Sequence, residues 1–202
     1  MCDSNHIMKI LSLLNQNQLA RFREKTFRKD DVLYREGEEC EEVSFLKEGE
    51  VRISSYTLGG NEVVYNVIKS GGMFGNNLAF SSIKEYRGNV IASTDGVFYS
   101  IKTDELVTLF QENREFLKEY LLYEADMIKE MNAKMKILSF PLAEERLDYA
   151  FELGEGKIQF KNVSELAKSL FLSRESCSRL IHQWQKDGKL EIKKGVLIRI
   201  EL

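Results

Sequence analysis

The spacing of apolar residues changes three times along this chain. At the start Ile7, Ile10, Leu11, Leu14, Leu19 and Phe22 recur at roughly helical intervals, which predicts one helix or a pair of short helices over residues 7–22. Over residues 27–101 the period shortens: Val43 with Phe45, Val51 with Ile53, and the run Val63, Val64, Tyr65, Val67, Ile68 read as half-buried strands. Glycines at 37, 49, 59, 60, 71, 72, 75, 88 and 96 punctuate them, so many short strands with frequent turns predict a barrel, roll or jelly roll. Gly59, Gly60 and Asn61 supply a hairpin turn. Residues 104–138 contain neither Gly nor Pro, and Phe116, Tyr120, Tyr123, Met127, Met131, Met135 and Leu138 step by three or four along one helical stripe. That stripe is longer than one small roll covers. A twin helix is its expected partner, with packing along the roll as the competing reading.

The only proline, Pro141, disfavours helical geometry at Phe140 and can open a new helix, so a hinge is expected there, followed by a helix over residues 141–153 closed by Gly154. Residues 163–187 then show two short apolar stripes: Val163, Leu166, Ala167 and Leu170, and after a turn Cys177, Leu180, Ile181 and Trp184. Ser173 is placed to cap the second helix. Gly188 ends it, and residues 189–200 alternate around Lys193, Lys194 and Gly195 as a hairpin does. Two helices, a tight turn and a hairpin make a winged helix-turn-helix. Its second helix leaves Arg174, Glu175, Ser178 and Arg179 on the side away from the apolar stripe, with His182 farther along. These side chains suit base edges when a recognition helix enters the major groove by its N-terminal end, and the tip lysines suit a phosphate. The plainer alternative is a two-helix corner whose charges only solvate its outside.

Charge distribution changes the picture in favour of nucleic acid. The chain as a whole carries −3, but residues 157–202 hold ten Lys and Arg against five Asp and Glu, leaving the rest at −8. Composition, at 43% hydrophobic and 30% charged, is that of a globular chain with no apolar run near 18 residues, and a cytoplasmic location is expected. Three scattered cysteines, Cys2, Cys40 and Cys177, argue against a disulfide frame and cannot supply the four thiolates of an iron–sulfur cluster. Cys40 sits in an acidic run whose carboxylates disfavour its thiolate, and Glu38, Glu39, Glu41 and Glu42 read as a solvated turn. The two histidines, His6 and His182, make haem ligation a poor fit. A roll without histidine lacks the ligands of a metal-dependent barrel enzyme, and no catalytic triad or phosphate-binding loop is present. Neither catalysis, a metal nor any cofactor is expected.

Roll, long helix, proline hinge and winged helix in this order resemble the CRP/FNR family of bacterial transcription regulators. FLKEGEV (residues 45–51) is similar to the family's strand–turn–strand, GGMFGNNLAF (71–80) to its glycine-rich effector loop, and SRESCSR (173–179) to its recognition-helix signature. SFPL (139–142) and KKG (193–195) are also similar to the YeiL branch. The resemblance implies an α+β chain: a β-roll sensor over residues 1–112, of the double-stranded jelly-roll, cyclic-nucleotide-binding kind, a dimerisation helix over 113–138, and a winged-helix DNA-binding domain over 139–202. It implies a homodimer on palindromic double-stranded DNA, contact with RNA polymerase, no membrane, and a small-molecule effector that the sequence does not name. Ser173, Arg174, Glu175, Ser178, Arg179, His182, Lys193 and Lys194 would meet DNA. Asn76, Asn77, Tyr86, Arg87, Tyr65 and Tyr123 are candidates for the effector pocket. Members that bind cyclic AMP follow the loop glycine with a glutamate and carry an arginine–serine pair; here Asn76 follows Gly75 and Tyr86 falls at the arginine, with Arg87 displaced by one. Cyclic-nucleotide responsiveness is therefore an alternative rather than the main reading, as is a winged helix that contacts protein. Phe171 stands where the helix-turn-helix usually has glycine, so an altered turn is expected.

Overall fold

The structure, a computed structural model, describes residues 6–200, so Cys2 lies outside the described residues. The chain divides into two compact units, Met1–Asp126 and Met127–Leu202.

In the first unit two short helices, α1 (His6–Leu11) and α2 (Gln16–Leu19), precede the strands. Asn15 caps α2: its Oδ1 accepts from Gln18 N at 3.0 Å while Gln18 Oε1 accepts from Asn15 N at 3.2 Å. The strands are β1 (Arg23–Phe27), β2 (Val32–Tyr34), β3 (Glu42–Glu48), β4 (Glu50–Tyr56), β5 (Glu62–Lys69), β6 (Met73–Phe74), β7 (Asn89–Ala92) and β8 (Gly96–Lys102), with the one-turn helix α3 (Asn76–Ala79) after β6. They form two antiparallel four-stranded sheets, β1-β8-β3-β6 and β2-β7-β4-β5. The expected roll is present, with a difference at each of two strands. Val43, Ser44, Phe45 and Leu46 of β3 are all buried, so this strand is covered on both faces rather than half-buried. At the sheet edge, β5 exposes Val63, Val64, Tyr65 and Val67 by 44–54%, although its alternation reads as half-buried. The hairpin turn at Gly59–Asn61 is as expected: Thr57 N donates to Asn61 O, and Gly60 takes φ 78°. Gly49 also needs to be glycine, because at φ 97° a Cβ would stand 2.7 Å from Asp95 O.

The single helix expected over residues 104–138 is two. After α4 (Thr103–Glu112), Asn113 leaves helical geometry at φ −134°, ψ 93°, and α5 (Arg114–Ser139) begins. Asn113 Oδ1 accepts from Phe116 N at 3.0 Å, and its Nδ2 donates to Leu13 O at 3.0 Å. The Asn side chain thus caps the new helix and ties it to the N-terminal segment. The stripe also divides. Phe116, Tyr120 and Tyr123 are buried in the first unit, Phe116 and Tyr120 beside Phe110 with ring centroids 5.9 and 4.9 Å away. Met131, Met135 and Leu138 are exposed, together with Leu121, Leu122 and Ile128.

The second unit holds α6 (Ala143–Leu153), β9 (Lys157–Gln159), α7 (Val163–Ser169), α8 (Arg174–Lys186), β10 (Leu190–Lys193) and β11 (Val196–Arg199). α6 starts two residues after Pro141 rather than at it, because Leu142 is extended (φ −97°, ψ 140°) and gives its N–H to Glu145 Oε2 at 3.2 Å. β9 pairs with β11 as a third strand that the apolar pattern does not announce. Leu147, Phe151, Leu166, Ala167, Leu170, Cys177, Leu180, Ile181, Trp184, Leu190 and Leu197 form the core. Phe151 stacks on Trp184 at 6.2 Å and 11°. Each large apolar side chain in this core contributes about 1.5–3 kcal/mol of burial, which fixes α8 against α6 and α7. Among the described residues no helix is long and apolar enough to cross a membrane, and no group of three His, Cys, Asp or Glu is placed to hold a metal ion.

Candidate functional site

The helix-turn-helix is built by two helix ends. Helix α7 closes at Leu170; Phe171 follows at φ 53°, its N–H donating to Lys168 O at 3.2 Å, while Leu172 N donates to Ala167 O at 2.9 Å. These are the two bonds of a Schellman motif. The turn therefore keeps the left-handed residue that glycine usually supplies, with a phenylalanine in its place, and the expected alteration of the turn is not seen. Arg146 of α6 holds the turn from outside the motif, donating to Phe171 O at 2.8 Å, to Leu170 O at 3.4 Å and to Phe140 O at 2.8 Å. A guanidinium facing the last carbonyls of α7 also suits the negative end of that helix.

Helix α8 opens at Ser173, which is extended; its Oγ accepts from Ser176 N at 3.1 Å and its hydroxyl donates to Ser176 Oγ at 2.9 Å. Ser173 is thereby engaged as a cap. Cys177, Leu180, Ile181 and Trp184 face the core, and the helix turns Arg174, Glu175, Ser178 and Arg179 outward. Those four line one open depression of about 590 Å³, and their side chains make no hydrogen bond or ion pair among the described residues. His182 is exposed one turn after Arg179. At the hairpin tip Lys194 and Gly195 take φ 47° and 79°, the pair of positive angles of a type I′ turn. Lys193 Nζ sits 2.8 Å from Glu191 Oε2, a pairing not expected from sequence. With both side chains about half exposed or more it contributes at most about 1 kcal/mol, so it competes weakly with a phosphate.

The six candidates in the roll do not gather into one site. Gly75, at φ 78° with a virtual Cβ 2.7 Å from Glu42 O, turns the chain into α3. There Asn76 Nδ2 donates to Glu124 Oε1 of α5 at 2.7 Å. Tyr123 accepts from Met73 N through its hydroxyl at 2.9 Å. Asn77 is exposed. Tyr86 points inward at 3% exposure and stacks on Tyr34 with centroids 4.6 Å apart, and burial pushes its phenol far above the ordinary value. Tyr65 donates its hydroxyl to Arg87 O at 2.8 Å, whereas the Arg87 side chain is exposed. Glu124 escapes the sequence pattern, which marks only that it lies beside Tyr123 and four residues after Tyr120. It is half-buried, and desolvation raises its carboxyl above the usual range against the hydrogen bond from Asn76.

Two acidic-run expectations change. Burial, more than any carboxylate, raises the Cys40 thiol, which donates to Gly75 O at 3.4 Å. Glu42 is not solvated: burial raises its carboxyl, but the Lys25 ammonium 2.6 Å away holds it below the usual range.

A roll, a long helix and a helix-turn-helix with a hairpin follow one another in this chain. Residues 24–113 match the family model of the cyclic nucleotide-binding domain. The chain is 21% identical over 183 residues to the cyclic AMP receptor protein of Thermus thermophilus, covering 89% of this chain and 84% of that one. Its fold is shared with a CooA mutant from Carboxydothermus hydrogenoformans at a TM-score of 0.66 and 21% identity, covering 97% of this chain and 92% of that one. OCPA-complexed CprK superposes at a TM-score of 0.69 and 14% identity, over 91% and 88% of the two chains. Residues 24–113 therefore form a domain of the cyclic nucleotide-binding type, and the chain as a whole is similar to these proteins in sequence and fold.

Proposed function

We propose that this chain is a sequence-specific DNA-binding regulator that works as a homodimer. The observation that carries the reading is the set Arg174, Glu175, Ser178 and Arg179: outward-facing, unpaired among the described residues and gathered at the first turns of α8. Guanidinium and carboxylate groups so placed read base edges in the major groove. Charge supports it, because the segment with these residues is the basic one.

Dimerisation is supported by α5. Leu121, Ile128 and Met135 recur at sevens, and Ile128, Met131, Met135 and Leu138 at three, four and three, all exposed by 53–64%. That is a heptad seam in want of a second helix. Two recognition helices would then meet successive major-groove turns about 34 Å apart on a palindromic operator, where RNA polymerase is the protein met next. The domain roles follow the sequence expectation: roll as sensor to residue 112, dimer helix over 113–138, DNA-binding part from 139. An effector that favours one arrangement of α5 would shift the placement of the two heads. Buried free thiols at Cys40 and Cys177 suit a reducing, cytoplasmic setting.

The test is a labelled promoter fragment in a gel shift at moderate salt, followed by footprinting. Arg179→Ala should cost about 1–3 kcal/mol of specific binding and relax preference at one position per half-site. Lys193→Ala or Lys194→Ala should weaken all sequences alike and reduce the salt slope by about one. Absence of any sequence-preferring shift, or an unchanged Arg179→Ala footprint, would sink the reading and leave the protein-contacting winged helix.

A further inference from the structure

A cyclic nucleotide is an anion, and a roll that binds one needs a cation or converging N–H donors together with room for the phosphodiester. In this roll two donors of the glycine loop are engaged by α5. Asn76 Nδ2 stands 2.7 Å from Glu124 Oε1, a charge-assisted bond when Glu124 is ionised, and Met73 N gives its hydrogen to Tyr123 Oη at 2.9 Å. Elsewhere in the roll Tyr65 Oη donates to Arg87 O at 2.8 Å and lies against Gly88, where a Cβ would meet that hydroxyl at 2.0 Å. Tyr86 is buried against Tyr34 and turned away from the surface of the roll. A nucleotide that used these donors would first have to release Asn76 from Glu124 and Met73 N–H from Tyr123.

We propose that the chain supplies its own ligand: Glu124 and Tyr123 of α5 occupy two donors of the glycine loop and hold that loop on α5 with no nucleotide bound. The consequence is a roll latched in one state by its own long helix, so that any effector must displace Glu124 from Asn76. Both latch contacts join segments some fifty residues apart, 48 for Asn76–Glu124 and 50 for Met73–Tyr123, and both lie within the first unit. The inference concerns the roll alone and stands whatever the winged helix binds.

The test uses the full chain and an isosteric exchange. Asn76→Asp sets two carboxylates against each other; its melting temperature should fall by about 4 °C or more, and the amides of Met73, Asn77 and Leu78 should exchange faster. The double variant Asn76→Asp, Glu124→Gln reverses donor and acceptor at the same atoms and should return both readings to those of the parent. A double variant no better than Asn76→Asp alone would overturn the latch. Independently, cyclic AMP and cyclic GMP at about 1 mM should leave the melting temperature of the parent unchanged, and a rise with either would overturn the proposal.

Discussion

Phe171 shows how much one residue can be asked to bear. At φ 53° it occupies a conformation that costs an L-residue about 1–2 kcal/mol, and its ring is 43% exposed, so packing returns little of that. The Schellman bonds and the Arg146 guanidinium hold it there. Phe171→Gly should relieve the strain at a smaller entropic cost, raising the melting temperature by about 1–3 °C in calorimetry, whereas the β-branched Phe171→Val should lower it. A fall with Phe171→Gly would mean that the ring, not the backbone, stabilises the turn. Sequence alone exposes the missing glycine but not the bonds that make its absence tolerable, since these come from backbone carbonyls and from a side chain 25 residues away.

At the scale of elements, Arg146 ties the end of α5 to the end of α7. Its three carbonyl acceptors at Phe140, Leu170 and Phe171 each lose a charged donor in Arg146→Met, which should cost about 2–4 kcal/mol in thermal unfolding. Arg146→Lys should recover only part, because one ammonium does not reproduce the guanidinium fork. Equal stability of Arg146→Met and the parent would remove this role. Read from spacing, Arg146 is merely one charge on the polar side of α6. Most other elements were legible: α7, α8 and the wing follow from their apolar periods and caps. The break at Asn113 and the strand β9 were not, because one depends on a cap that also reaches Leu13 and the other on pairing with β11.

For the whole molecule the deciding feature is the exposed seam on α5. In the proposed dimer Ile128→Glu places a charge in that seam, and it should sediment as a monomer where the parent sediments as a dimer, with helix content unchanged. A variant that stays dimeric would move the interface elsewhere.

Periodicity, turn residues and the distribution of charge are local properties, and by themselves they determined the order of roll, long helix and winged helix, the Ser173 cap, the Gly60 and Gly195 turns and the outward face of α8. Which stripe meets which partner is not local. Only the tertiary structure decided that Phe116, Tyr120 and Tyr123 are spent in the first unit while Ile128, Met131 and Met135 are not, that Tyr86 turns inward, and that Asn76 is answered by Glu124. The reason is physical: spacing tells which residues share a face, but burial and hydrogen-bond partners depend on what the rest of the chain brings to that face.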